Sequence, residues 1–402
     1  MKKEKKGFFD LKKDIVDTGL CEGCGACSGF CPLSAIIHDG EECEPSLAGH
    51  CVPCGVCYEV CGGKNILLPK LEKSIFGRQR DFNHPHERWI GIYKACLAGH
   101  STDTKLRKGG ASGAIASGLI NFALETGQID VALLTGMDRN RPWRAGPIKA
   151  VSSKEVLASQ QSKYQMAPTL TFLSDLAKNY QRIGVVGLPC QIWPIQKAMS
   201  LPGANKVAKK VLLTIGIFCA AQYYFKGTEH LIKEWCGIEN IEDVVAIQYR
   251  GGDWPGSFIV ETRDGRSFSF PQHDYKYHHL IPYYQRDRCT MCLDYSADLA
   301  DISVGDIWTL SEPGELGWNA ILIRTDRGIN TVKKAEKGGY IHTKPLNPDL
   351  ILYGTVGLKS KLISNTYRFA NRIRFGWPVP DYGYEPSGYK EPLLGKRAIW
   401  SK

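Results

Sequence analysis

Eight of the fifteen cysteines fall into two copies of one spacing, C-x2-C-x2-C-x3-C: Cys21, Cys24, Cys27 and Cys31, then Cys51, Cys54, Cys57 and Cys61. Thiolates stepped in this way wrap one face of an iron–sulfur cube, and the fourth cysteine of each run reaches the neighbouring cube, as in bacterial two-cluster ferredoxins. The spacing therefore predicts one [4Fe–4S] cluster on Cys21, Cys24, Cys27 and Cys61 and a second on Cys51, Cys54, Cys57 and Cys31. Zinc also accepts C-x2-C hooks, but zinc ribbons set isolated pairs far apart, whereas here a third and a fourth cysteine follow each pair in fixed step. Pro32 follows the first run and Gly62 the second, which loosens one turn and removes no ligand. Cys43, in the insertion between the runs, reads as a spare thiol. Two clusters with crossed ligands conduct single electrons, so the opening segment is expected to be an electron port.

Four more cysteines stand where an α/β sheet presents functional groups, beyond the carboxyl ends of its strands. Cys190 follows an apolar run at 183–187, Cys219 follows another at 211–218, and Cys289 and Cys292 form a further C-x2-C in a loop rich in Asp and Arg. Four thiols from three segments suit a third cluster. They equally suit two buried structural cysteines and half a zinc hook, and spacing alone leaves both open. Cys96 and Cys236 are expected to be buried free thiols. One-electron carriers need a two-electron partner, most commonly a flavin, and a flavin dinucleotide needs a phosphate cradle. Lys108, Gly109, Gly110, Ala111, Ser112 and Gly113 precede a helical stretch; small residues admit a pyrophosphate, and the helix N-terminus points N–H groups at it. Such runs also simply pack helices closely. The segment is not a G-x-G-x-x-G fingerprint, so a dedicated NAD domain is disfavoured. Arg139, Arg141 and Arg144, in the loop after a strand at 129–134, could grip phosphate or carboxylate or form a solvated basic loop. Lys163 and Tyr164 could hydrogen-bond a flavin ring or cap a loop.

The elements that must position these groups alternate. A helix to about Glu125, a strand at 129–134, a helix at 170–180, a strand at 183–187, a helix from Gln191 and a strand at 211–218 argue for a parallel or mixed sheet covered by helices. An antiparallel hairpin over 244–271, turning at 263–266, is expected to make that sheet mixed. A strand at 320–324, a helix at 329–337, a basic helix at 358–374 and an extended tail beyond Trp377 follow. The fold class is α+β or α/β: an N-terminal two-cluster ferredoxin module, residues 1–70; a linker, 71–88; a mixed-sheet α/β flavin-binding domain, 89–325; and a C-terminal helical extension and tail, 326–402. With 402 residues, 43% of them hydrophobic, the chain can build such cores. A net charge of +10 favours acidic partners, yet the basic residues are spread without an arginine-rich block, which disfavours nucleic acid. The lysine-rich start, broken by Asp10 and Asp14, has no signal-peptide core, and the longest apolar stretch, 211–221, is shorter than the ~20 residues of a membrane helix. A cytoplasmic protein is expected, any membrane link running through a partner.

The motifs taken in order narrow this further: Lys108-Gly109-Gly110-Ala-Ser-Gly113, Ser162-Lys163-Tyr164, Gly187-Leu-Pro-Cys190-Gln191, Gly216-Ile-Phe-Cys219, Cys289-Thr-Met-Cys292-Leu-Asp294 and Ala300-Asp-Ile-Ser-Val-Gly-Asp306-Ile-Trp308. From about Lys94 to Thr325 the chain resembles the beta-subunit family of coenzyme F420-reducing hydrogenase and dehydrogenase. Its front module looks like that of the electron-input subunit of the reduced-F420 dehydrogenases of anaerobic archaea, and hydroxymethyl chlorophyll reductase is built similarly. The resemblance implies a third [4Fe–4S] cluster on Cys190, Cys219, Cys289 and Cys292, FAD at Gly109 to Gly113, and Lys163 and Asp306 in the same pocket. It implies hydride exchange between coenzyme F420 and FAD, with single electrons passing to or from ferredoxin or a larger complex: a hydrogenase, heterodisulfide reductase or membrane dehydrogenase. F420 is anionic, which suits Arg139, Arg141 and Arg144. Ala111 and Ala114 stand where many relatives carry Val and Thr. The alternatives are a ferredoxin-fed reductase of an organic substrate and a relay subunit without a substrate.

Overall fold

The computed structural model describes residues 5–312 and 315–385. Thirteen strands occur among them. β1 (Ile36–Ile37) and β2 (Ser46–Leu47) form a small ribbon in the N-terminal module; β3 (Ala95–Ser101), β4 (Val131–Met137), β5 (Ala145–Ala150), β6 (Ile183–Gly187), β7 (Val211–Ile217), β8 (Val244–Gly251), β9 (Ser257–Thr262), β10 (Ser267–Pro271), β11 (Ile302–Asp306), β12 (Asn319–Ile323) and β13 (Ile341–Pro345) follow. Eight of them make one sheet in the order β13-β3-β12-β11-β7-β6-β4-β5. Its centre is parallel, β4 with β6, β6 with β7 and β7 with β11. The flanks are antiparallel. The almost continuously apolar β6 and β7 need cover on both faces, which is why parallel strands sit mid-sheet. This is the expected mixed α/β domain behind a ferredoxin-like module.

The mixture has a different origin from the one expected. β8, β9 and β10 form their own antiparallel sheet, and the main sheet is mixed because β12, β13 and β5 run against its core, while β3, between β12 and β13, is antiparallel to both. β5 carries Gly146 and Pro147, and β13 ends at Pro345; both are edge strands, where proline is tolerated and strand signals are weak. The strand at 183–187 and the helix Leu358–Arg374 stand where the pattern put them. The helix expected from Gln191 begins at Pro189, a favoured first helical residue. The stretch 170–180 opens as a 3₁₀ turn, Thr169–Phe172, before the helix Leu173–Asn179.

The segment read as a linker is structured. Residues 68–76 form a helix with proline in its first turn, burying Leu68, Leu71 and Glu72. Its apolar residues recur at helical spacing, a signal masked by the surrounding Pro, His and Asn. Glu72 receives Arg80 Nε at 2.6 Å, Arg80 Nη2 reaches Asp298 at 2.8 Å, and Asp298 meets Arg324 at 3.4 Å. Arg324 also donates to the carbonyls of Ile90 and Ile92, at 2.8 and 2.7 Å. All four side chains are at most 2% exposed, and two positive charges balance two negative ones. One apolar core then spans both modules, with Phe8, Leu11 and Ile15 of the N-terminus in the same cluster as Trp89, Trp193 and Leu293. The expected tail packs as far as residue 385, where Tyr382 is 1% exposed; the remainder lies outside the described residues. Among the described residues no helix is long and apolar enough to cross a membrane.

Removing one member of the buried charge set strands its partners without water. Arg80→Met should lower unfolding stability by about 3–5 kcal/mol, measured by denaturant titration of the cofactor-loaded protein. A change below about 1 kcal/mol, the range of exposed pairs, would contradict this account of the 68–80 segment.

Candidate active site

The two N-terminal cysteine runs are shaped by matched turns. Gly25 and Gly55, with φ of 85° and 86°, open the short helices Ala26–Gly29 and Val56–Val60, which carry Cys27 and Cys57. Only glycine takes this backbone freely, and a Cβ on Gly25 would also meet the Pro168 carbonyl oxygen at 2.6 Å. Backbone amides point at the sulfurs: Gly23 to Cys21 at 3.4 Å, Ala35 to Cys31 at 3.4 Å and Gly63 to Cys61 at 3.3 Å. Thiols of the two runs lie near one another, Cys61 acting on Cys21 and Cys31 on Cys57. Burial pushes Cys21 up to about 12, and Cys61 adds to it; burial also raises Cys27, followed by Cys21, Cys24, Cys61 and Cys57. Cys57 is pushed up to about 12 by burial, then by Cys54, Cys51 and Cys31.

A third set forms at the sheet. Cys190 lies in the first turn of the helix Pro189–Met199, after β6. Cys219 follows β7, and Cys289 and Cys292 lie on and just after the 3₁₀ turn Asp287–Met291. Burial pushes Cys219 up to about 12, with Lys361 opposing and Cys289 and Cys292 adding. Cys190 is raised by burial and then by Glu22, Cys24, Cys219 and Cys289, so this set adjoins the first N-terminal one. Arg288, beside Cys289, pairs with Glu22 at 3.2 Å across that seam.

Buried thiols that repel one another's ionisation become ligands only when a cation compensates them. Among the described residues no three cysteine sulfurs lie mutually within 4.8 Å. A tetrahedral zinc site with bonds of ~2.3 Å would draw its sulfurs to about 3.8 Å apart. Four thiols in each set and the C-x2-C-x2-C-x3-C step of the first two are donor chemistry that fits [4Fe–4S].

Beyond the carboxyl ends of β6, β7 and β11 opens a cavity of about 530 Å³, lined by Gly110, Ala111, Ser112, Lys163, Tyr164, Cys219 and Asp306 among others. That size is ordinary for a cofactor site. Ala114, at φ 56°, caps the helix Ile115–Glu125, whose first amide donates to Asn319 Oδ1 at 3.1 Å. Gly113 lies so close to β3 that a Cβ would meet the Gly99 carbonyl oxygen at 2.6 Å. Ser112 Oγ donates to the Trp318 carbonyl at 2.8 Å. Gly109 backs onto Gln160, while Lys108 is exposed and outside the wall.

Lys163 Nζ donates to the carbonyls of Ser159, Gln160 and Gln161, and burial pushes its pKa down to about 7. Tyr164 accepts from Gln272 at 3.0 Å and Lys276 at 3.2 Å. Burial raises its pKa, but Lys276 and Arg250 outweigh that and the net shift is downward. Asp306 pairs with Arg250. Arg250 Nη2, Gln160 Oε1 and Tyr223 OH are buried polar atoms without a protein partner in the wall of this cavity, and such atoms call for a polar ligand. The small-residue turn and the orphaned polar atoms, donors and an acceptor, fit a flavin dinucleotide. Arg250 and Lys276 carried no motif signal, because the separate sheet and the π-helical segment His273–Leu280 bring them in from far along the chain.

The three loop arginines are elsewhere. Arg139, Arg141 and Arg144 do not line the cavity. Arg139 and Arg141 are exposed. Arg144 donates to the Glu41 carbonyl and lies 4.0 Å from the centre of the Phe225 ring, holding the insertion between the cysteine runs. The loop after β4 turns toward that insertion, so the substrate role expected of these arginines is not where the structure puts them. Cys43 and Cys236 are buried, whereas Cys96, expected to be buried, is partly exposed.

Residues 96–174 and 180–349 match the models for the N-terminal and C-terminal parts of the coenzyme F420 hydrogenase/dehydrogenase beta subunit, and residues 14–37 match a 4Fe-4S binding domain. The coenzyme F420 hydrogenase subunit beta of Methanothermobacter thermautotrophicus is 31% identical over 72% of this chain and 99% of its own length. One of the subunits of the F420H2 dehydrogenase of Methanosarcina mazei is 27% identical over 78% of this chain and 82% of its own. A chain of the F420-reducing [NiFe] hydrogenase complex from Methanosarcina barkeri superposes with a TM-score of 0.59 at 28% identity, covering 74% of this chain and 98% of that one. With a 4Fe-4S binding domain ahead of its core, the chain belongs to the coenzyme F420 hydrogenase/dehydrogenase beta-subunit family.

Proposed function

We propose that the chain is a cytoplasmic F420-linked flavoprotein and iron–sulfur oxidoreductase of three [4Fe–4S] clusters. The observation that carries this is continuity: Cys219 belongs to the cavity wall and to the third cysteine set, and Cys190 of that set neighbours Cys24 of the first. FAD, bound at Gly110 to Gly113, would supply the exchange between hydride and single electrons. The chain's own residues place it. The helix N-terminus after Ala114 and the backbone of the small-residue turn receive phosphate. Lys163, Tyr164 and the Arg250–Asp306 pair orient the ring end and keep bulk water from it, and Lys276 and the free Nη2 of Arg250 offer positive charge to an anionic deazaflavin. Positioning and electrostatics, rather than proton transfer, carry such a reaction. Cys190, Cys219, Cys289 and Cys292 would hold one cluster between the cavity and the N-terminal sets, which would let electrons pass in either direction to Cys31, Cys51, Cys54 and Cys57 and on to ferredoxin or a larger redox complex such as a hydrogenase, heterodisulfide reductase or membrane dehydrogenase. Residues 1–70 serve as the port, 89–325 as the catalytic unit and 326–402 as its extension. Metal-spaced thiols suit a reducing compartment.

Anaerobically purified protein should hold FAD and about twelve irons and should oxidise reduced coenzyme F420 with a viologen dye as acceptor. FAD without F420 turnover would move the reading to a ferredoxin-fed reductase of an organic substrate, and no flavin to a relay subunit. Cys31→Ser should remove about four irons from the set of Cys51, Cys54 and Cys57 and spare the Cys21 set. Loss from the Cys21 set instead would contradict the crossed ligation. In flavin-free protein, mass-spectrometric labelling of Lys163 with an amine reagent should titrate well below 10.5, toward about 7, since a depressed pKa leaves the amine neutral near neutral pH. Bound FAD should protect it. An ordinary lysine midpoint, or no protection, would remove Lys163 from the flavin wall.

A further inference from the structure

The helix Leu358–Arg374 begins past residue 349, where the match to the C-terminal family model stops. Its basic composition admits two uses, a docking surface or a solvated helix, and its contacts show a third. Lys361 and Asn365, one turn apart, share a face. Lys361 Nζ lies 2.7 Å from the Cys219 carbonyl oxygen, 2.9 Å from the Asp294 carbonyl oxygen and 3.5 Å from Cys292 Sγ. Asn365 Nδ2 donates to the carbonyls of Cys289 and Cys292 at 2.9 and 2.8 Å, and Asn365 is 1% exposed. Four of the five hydrogen bonds from these two side chains end on three of the four cysteines of the third set, one of them on a sulfur. The first turn of the same helix, at Gly357 and Ser360, lines the cavity. A side chain that only packed the helix would not need a charged group against a thiol.

We propose that Lys361 is a positioning residue that raises the reduction potential of the cluster held by Cys190, Cys219, Cys289 and Cys292, with Asn365 fixing the loop against it. This rests on the reading of that set as a [4Fe–4S] site. Reduction there adds one electron and takes up no proton, so the site becomes more negative by one charge. A fixed ammonium donating to a ligand sulfur stabilises that added charge, since hydrogen bonds to sulfur and local charge set cluster potentials. The consequence is that this cluster, next to the cavity, is easier to reduce than it would be without Lys361.

The test uses full-length, cluster-loaded protein and the variants Lys361→Met, Lys361→Gln and Lys361→Arg, each followed by iron content and by an anaerobic redox titration read by electron paramagnetic resonance. The third cluster's signal is identified by its loss in Cys190→Ala. Lys361→Met should keep about twelve irons and show a roughly tenfold lower reduced-to-oxidised ratio of that cluster at fixed ambient potential, equal to about 59 mV for one electron. Lys361→Gln, which keeps a donor without the charge, should fall between, and Lys361→Arg should restore most of the ratio. An unchanged ratio in Lys361→Met with the cluster retained overturns the inference. So does loss of the cluster from both Lys361→Met and Lys361→Gln, which would make Lys361 a structural clamp. Unaltered protein with only about eight irons would remove the third-cluster reading itself, and that result is visible without any variant.

Discussion

Arg288 stands one residue before Cys289, and Glu22 one residue after Cys21; the 3.2 Å pair between them is 2% and 6% exposed. That pair ties the third cysteine set to the first. Arg288 also reaches the Gly62 carbonyl, beside Cys61, at 3.4 Å, and the Tyr382 hydroxyl at 3.2 Å. Tyr382 in turn accepts from the Leu293 amide at 3.1 Å, so a residue of the C-terminal segment closes the loop that carries Cys292. Burial pushes the Glu22 carboxyl up, and Arg288 opposes that most. A lone charge here would be expensive, and a pair is tolerated only with its remaining hydrogen bonds met. Electron transfer between the two modules depends on such a fixed seam, because the distance between sites is set by packing and cannot be adjusted by the ligands themselves.

The seam also accounts for the shared core. Trp193, on the helix that carries Cys190, is fully buried and donates to Asp294 at 3.0 Å. Asp294 lies two residues past Cys292 and is pushed up to about 7 by burial first and then by Asp298. Asp298 belongs to the charge set of Glu72, Arg80 and Arg324. The segment joining the two modules is therefore a structural member of the site's support. It could not act as a flexible tether without exposing those charges.

What could be read from the sequence was local. Ligand spacing proposes how the two N-terminal cysteine runs divide, because thiols two and three residues apart leave few ways to surround a cube; the third set, drawn from three segments, rests on the order of the motifs as well. Apolar runs located β6 and β7, whereas the small-residue turn before a helix, which also serves merely to pack helices closely, read as a cradle only together with the other motifs. What escaped was decided by distant pairings. Glu72 and Arg80 look like solvated charges until Asp298 arrives from more than two hundred residues away. Arg250 and Lys276 enter the cavity from a separate sheet and a π-helical turn, neither of which has a short sequence signature. Arg139, Arg141 and Arg144 sit after a strand of the expected sheet, but the insertion of the N-terminal module takes up that side. Lys361 looked like one basic residue of a basic helix.

The central claim is that one continuous path joins the cavity to the outermost cysteine set. Rapid mixing of reduced coenzyme F420 with oxidised protein and no added acceptor, frozen at intervals for electron paramagnetic resonance, tests it most directly. The account predicts that the signal of the cluster on Cys31, Cys51, Cys54 and Cys57 appears within the first turnover, and that Cys190→Ala blocks it while reduced F420 is still consumed. An outer cluster that stays oxidised in the unaltered protein, or that is reduced as fast in Cys190→Ala, would contradict it.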